Sequence, residues 1–247
     1  MDIGEQCMRI GLAPYRFINS DVEYNICQVE KALKEASSKV DMLLFGETFL
    51  QGFDALTWEY NKDALIAVSQ HSPEMQRLAR YSATYNTAIG IGYIERDTDT
   101  LFSSYAVFSE GTMLYNYRRI SKGWKEYGKT DSHYQEGKTI EHFELQGERF
   151  TIALCGDVWD YPEKFKTENI LIWPVYVNFS LADWKKEETE YAKQAAKVAP
   201  HVLMINSLSD NPVSHGGAFY FKSGYIVSQM DYDREQVLII DDIKVSE

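Results

Sequence analysis

The feature that most constrains this chain is the alternation of short apolar runs with amphipathic stretches. The run "MRIGLAPYRF" is followed by Asn19, Ser20 and Asp21, all residue types that cap helices. Val22, Ile26, Val29, Leu33 and Ala36 then recur at intervals of three and four, which places them on one helical face. "VDMLLFGE" reads as a buried strand. "SPEMQRLARYSATYN" opens with a cap serine, a proline at the first helical position and a glutamate in the first turn, and so predicts a helix over 73–85. "TAIGIGYIE" reads as another strand, its glycines serving packing rather than dinucleotide binding, because the third glycine of that fingerprint is missing.

From Ser104 to Phe150 the pattern changes to strand pairs: "SYAVFS" and "TMLYNYRRIS" around Glu110-Gly111, then "TIEHFELQ" and "FTIALCGD" around Gly147. The alternation then resumes with a helix from Pro162, the strand "NILIWPVYV", a charged helix from Trp184 to Val198 and the strand "HVLMINS". Three further runs follow, "GGAFYFKS", "YIVSQMD" and "EQVLIID". No linker, low-complexity segment or solenoid period interrupts the order. With 247 residues, 45% of them hydrophobic, the chain can bury a substantial core. The expected architecture is one α/β domain over 1–247, a layered sandwich with mixed sheets inside and helices outside.

Twenty-five Lys and Arg against 37 Asp and Glu give a formal charge of -12, which repels phosphate backbones and anionic membranes. Nucleic acid is therefore not an expected partner. The N-terminal stretch lacks a signal-peptide pattern and no run approaches about 18 apolar residues, so a cytoplasmic protein off the membrane is expected. Cys7, Cys27 and Cys155 have no CxxC spacing, and His71, His133, His142, His201 and His215 have no metal-ligand spacing, so no disulfide framework, metal or other cofactor is expected.

Three segments place reactive or charged side chains where an apolar run ends. Glu47 follows the apolar run Met42 to Phe45 after a single glycine, where burial would raise its pKa toward that of a general base. Cys155 ends "FTIALC" and is followed by Gly156, Asp157 and Pro162-Glu163. A thiol at a strand-to-helix turn can have its pKa lowered by the helix terminus, and the next amide can donate to an oxyanion. "YNYRRISKGWKEYGK" clusters Arg118, Arg119, Lys122, Lys125 and Glu126, cations that would stabilise a thiolate or a tetrahedral intermediate. For each segment taken alone, an exposed strand end, a buried inert thiol and a solvated basic patch are the competing readings.

In order and wording, the three segments resemble the nitrilase superfamily of carbon-nitrogen hydrolases over nearly the whole chain. "MRIGLAPYRF" is similar to its opening strand, "FGETFLQGF" to its glutamate motif, "YRRIS" to its lysine strand and "LCGDVWDYPE" to its cysteine elbow. "INSLSD" and "HGGAFYFKSGYIVSQ" are similar to its asparagine strand and glycine-pair hairpin. The resemblance implies an α-β-β-α sandwich with a Glu-Lys-Cys triad that opens small-molecule amide or carbamoyl bonds through a thioester. It implies Glu47 as base, Cys155 as nucleophile, the Gly156 amide as oxyanion donor and Glu126 as a second, positioning glutamate. It also implies a homodimer.

One departure stands out. The family lysine follows the Tyr-Arg pair, and here Arg119 stands in its place. Strand alternation puts Tyr117, Arg119 and Ser121 on one face, so Arg119 projects where the lysine belongs. Lys125 and Lys122 are the other candidate cations. Two rival functions are a catalytically weak or inactive binding protein on the same fold, recognised by the lack of a cation near Cys155, and a redox thiol protein needing Cys7 or Cys27 as a resolving partner.

Overall fold

A computed structural model describes residues 8–241 and 243. It contains two six-stranded mixed sheets built on the same plan. In the first, β1 (Ile10–Leu12), β2 (Met42–Leu44) and β3 (Ala88–Asp97) run parallel, followed by the antiparallel β4 (Thr100–Ser109) and β5 (Thr112–Arg118). The second sheet repeats this with parallel β7 (Glu148–Ile152), β8 (Ile170–Val175) and β9 (His201–Asp210), then antiparallel β10 (Val213–Lys222) and β11 (Tyr225–Gln229). An antiparallel strand closes the far side of each: β12 (Leu238–Ile240) beside β1, and β6 (His142–Leu145) beside β7.

Side-chain alternation builds the layers. Ile10, Leu12, Met42 and Leu44 meet Phe150, Ile152, Ile170 and Ile172 between the sheets. Their neighbours Leu43, Phe45, Ile89 and Ile91 face outward onto α1 (Val22–Ala36) and α3 (Pro73–Thr84). The helix α5 (Leu181–Ala195) covers the second sheet through Trp184, Tyr191 and Ala195. The result is the α/β sandwich expected from the sequence, with helices outside.

The predicted helix starts hold. Asp21 accepts the Tyr24 N–H at 3.0 Å and Ser72 accepts that of Met75, each satisfying an otherwise orphaned amide. The helix expected from Pro162 is corrected: α4 (Asp157–Asp160) begins five residues earlier and is one turn long, and Pro162–Lys164 forms only a 3-10 turn. Proline lacks the N–H needed to continue α4, which therefore stops before it. A further short polar helix, α2 (Tyr60–Ile66), has no capping side chain to announce it in the sequence. No helix among the described residues is long and apolar enough to cross a membrane.

Candidate active site

Glu47, Arg119 and Cys155 each lie just beyond the carboxyl end of a strand, β2, β5 and β7 respectively, the edge of an α/β sheet where ligands commonly bind. The turn carrying Glu47 packs so tightly on β3 that a Cβ at Gly92 would stand 2.4 Å from the Thr48 nitrogen and 2.6 Å from the Gly46 oxygen. Gly92 is thus required by this close approach, and the Gly92 N–H donates to Gly46 O at 3.2 Å.

Arg119 Nη1 donates to Glu47 Oε1 at 2.7 Å, with both side chains at most 2% exposed. Glu47 Oε2 is buried without a hydrogen-bond partner. Burial pushes the Glu47 carboxyl above its ordinary value, while Arg119 and the neighbouring Cys155 thiol pull it back. Glu47 and Cys155 are close enough to shift one another's protonation, although no hydrogen bond of ordinary geometry joins them. An unpartnered buried carboxylate oxygen beside a thiol is a ready proton acceptor.

Cys155 sits at a φ of 44°, in the left-handed region that a non-glycine residue rarely adopts, and this marks a strained turn. Its N–H donates to Pro174 O at 2.9 Å, and its carbonyl accepts from Trp173 Nε1 at 2.9 Å. Burial, followed by the charge of Glu47, pushes the thiol up to about 12, against the opposing pull of Arg119 and the Tyr176 backbone. The expectation that a helix terminus lowers this pKa is therefore reversed. A one-turn helix offers little dipole, and desolvation outweighs it.

The other cations and the second glutamate lie elsewhere. Lys125 pairs with Glu136 at 2.9 Å and donates to Tyr134 O, while exposed Lys122 lies over the Tyr127 ring at 5.6 Å. Glu126, expected as the second, positioning glutamate, is not brought to Glu47: its side chain is 56% exposed and pairs with Lys129 at 3.0 Å. The loop from 119 to 141 carries that residue outward. The arginine, not either lysine, is the cation the fold delivers to Glu47.

Two supporting residues had no role assigned from sequence. Ser121 Oγ accepts from Arg119 Nε at 2.7 Å. Asp157 ties the cysteine turn to the arginine segment: its carboxylate accepts from Leu154 N at 2.9 Å, Tyr117 OH at 2.6 Å, Ser121 N at 2.7 Å and Ile120 N at 3.2 Å. The shared face of Tyr117, Arg119 and Ser121 was the signal that pointed to this cluster. Asn206, in the asparagine strand, pins the chain after β8 by accepting from Val177 N and donating to Val177 O, both at 2.8 Å. Among the aromatic side chains near the cysteine turn and β8, Trp173 is core, Tyr176 packs on Phe53, and Trp159 remains 41% exposed.

A cavity of about 530 Å³ on the flank of the first sheet, lined by Gln70, Asn116, Arg118 and Lys138 among others, does not include the thiol. No group of three or more His, Cys, Asp or Glu side chains suited to a metal occurs among the described residues. Cys27 is exposed on α1, and Cys7 lies outside the described residues.

The carbon-nitrogen hydrolase family profile matches residues 9–167. A glutamine-dependent NAD(+) synthetase of Thermotoga maritima is 24% identical over a 159-residue alignment that covers 62% of this chain but only 26% of that protein. Among solved structures, a CN-hydrolase superfamily protein from Xanthomonas campestris with an arsenic adduct in its active site superposes with a TM-score of 0.79 at 17% identity, covering 95% of this chain and 89% of that one. An amidase from Nesterenkonia sp. gives 0.79 at 15% identity, with 97% and 91% covered.

Proposed function

Because the chain belongs to the carbon-nitrogen hydrolase family, we propose that Cys155, Glu47 and Arg119 hydrolyse the C–N bond of a small amide or N-carbamoyl compound through a thioester. The observation that carries this reading is the buried Glu47, a neighbour of the Cys155 thiol, with one oxygen held by Arg119 and the other left without a hydrogen-bond partner.

With its pKa near 12, Cys155 rests as a thiol, so deprotonation accompanies attack. Cys155 Sγ bonds to the substrate carbonyl carbon as its proton passes to Glu47, and the carbonyl π electrons move to oxygen. Among the described residues, Arg119 Nη2 and the Gly156 N–H have no hydrogen-bond acceptor, which leaves both free to receive that oxyanion. Collapse breaks the C–N bond, and Glu47 returns its proton to the departing nitrogen. Glu47 then takes a proton from water as it attacks the thioester, releasing the acid and restoring the thiol. Arginine serves by hydrogen bonding and charge alone, because it cannot be deprotonated in a protein.

Arg119 Nη2 lies against the cysteine turn, 2.5 Å from where a Cβ on Gly156 would stand, and a cation so placed weighs against the binding-only alternative. The test is intact mass spectrometry with peptide mapping after mixing the protein with acetamide, benzamide and N-carbamoylglycine. An acyl adduct on Cys155 that decays with release of acid is expected. No adduct with any amide, and no ammonia released, removes the reading.

A further inference from the structure

The family's lysine presents one nitrogen that rotates freely, whereas a guanidinium is a rigid plane whose donors point in fixed directions. An arginine in that position works only if its plane is set. Arg119 Nη1 is held by Glu47 Oε1 at 2.7 Å and Nε by Ser121 Oγ at 2.7 Å. Two anchors on different nitrogens fix the plane, and the third nitrogen is thereby directed. Nη2 lies against the cysteine turn, 2.5 Å from where a Cβ on Gly156 would stand and 3.2 Å from one on Gly123. Any side chain at Gly156 would occupy the slot that receives this nitrogen.

Ser121 is itself fixed. It is fully buried, and its N–H donates at 2.7 Å to Asp157, which also accepts the Leu154 N–H at 2.9 Å from the cysteine turn. Thus one short path runs from the turn bearing the nucleophile, through Asp157 and Ser121, to the rotation of the guanidinium. We propose that Ser121 is a positioning residue that aims Arg119 Nη2 at the reacting oxygen, and that arginine can replace lysine here because Ser121 and Gly156 accompany it. The proposal rests on the reading of Arg119 as the cation of a thioester-forming hydrolase.

The test is a double-mutant cycle on the best-turned-over amide of the panel above. Ser121→Ala should lower kcat about 30-fold, as a misaimed catalytic donor does, with KM within about threefold. Arg119→Lys should retain partial activity, and Ser121→Ala added to it should cost less than about threefold more, because lysine has no Nε to be held. Equal losses in the two backgrounds overturn the role of Ser121. Adding methylguanidinium to Arg119→Ala gives a readout that a structural role would not move: rescue should occur, and be several-fold weaker when Ser121 is also alanine. Equal rescue overturns the proposal. Should Ser121→Ala fail to fold, the cycle is read with Ser121→Cys, which keeps the volume but accepts hydrogen bonds weakly. A wild-type protein that acylates with no amide removes the hydrolase reading and this inference with it, whereas turnover with additive losses removes this inference alone.

Discussion

Glu47 and Glu95 lie in the first sheet region, each fully buried and each facing one of two consecutive arginines, yet their surroundings are opposite in kind. Glu95 is saturated. Its Oε1 accepts from Gln70 at 2.7 Å and Arg118 at 2.6 Å, and its Oε2 from Ser104, Asn116 and Arg118 at 2.7, 3.0 and 2.9 Å. Burial raises its pKa, but the bonds from Arg118, Ser104 and Gln70 outweigh burial and hold the carboxyl below its ordinary 4.5. Glu47 has one strong partner and one empty oxygen, and burial prevails. A carboxylate whose oxygens are both engaged stabilises the fold, whereas one left half-engaged keeps affinity for a proton.

That contrast can be broken at several points. Cys155→Ala should eliminate both the acyl adduct and turnover while far-UV circular dichroism and melting temperature stay near wild type; residual turnover would move the nucleophile elsewhere. Glu47→Gln should lower kcat about 10³-fold, in the range for loss of a general base, and should cost some stability too, because buried Arg119 keeps a hydrogen-bond acceptor but loses its charged partner. A rate near wild type would remove Glu47 as base. Glu95→Gln should act on the fold rather than the rate, destabilising the protein by about 2 kcal/mol in denaturant titration because Arg118 loses its buried partner but keeps Asp97 at 2.7 Å. Its activity per folded molecule should persist.

Smaller effects sharpen the same comparison. Iodoacetamide should alkylate wild-type Cys155 slowly at pH 7 and faster as pH rises toward about 12, and Glu47→Gln should shift that profile downward because a negative charge beside the thiol is gone. A fast neutral-pH reaction would indicate a preformed thiolate. In stability against pH the two carboxylates have opposite signs. The contribution of Glu95 is complete above its unfolded value of 4.5 and is lost as pH falls through its lowered folded value. Glu47 binds its proton more tightly when folded, so stability falls as pH rises from 4.5 through its raised value. Glu95→Gln should therefore flatten the acid limb, and Glu47→Gln should gain relative stability toward neutral pH.

Glu47 and Cys155 were legible in the sequence because each closes an apolar run, and a run that ends in a buried strand leaves its last side chain at the sheet's edge. The cation was less legible. Several cations crowd one short segment, and only alternation favoured Arg119; what decides among them is non-local, such as the Gly137 N–H donating to Arg119 O at 2.8 Å and Lys125 pairing with Glu136. Glu126 was assigned by resemblance alone, and the irregular loop that carries it has no period from which its direction could be read. Alternation put Ser121 on the face of Arg119, but its tie to Asp157 joins segments more than 30 residues apart, and no local pattern encodes that contact. The sign of the thiol's pKa depended on comparing a short helix with burial, and burial is a property of the assembled layers.

The pairing of β12 with β1 has a consequence for the order in which the molecule is made. Ile10 lies opposite Ile240 and Leu12 opposite Leu238, so the outer edge of β1 stays open until almost the whole described chain has left the ribosome. During that interval the exposed edge is available to foreign strands. The sheet that holds the base is begun first and completed last, so a nascent chain needs protection at that edge before it has any chemistry to perform.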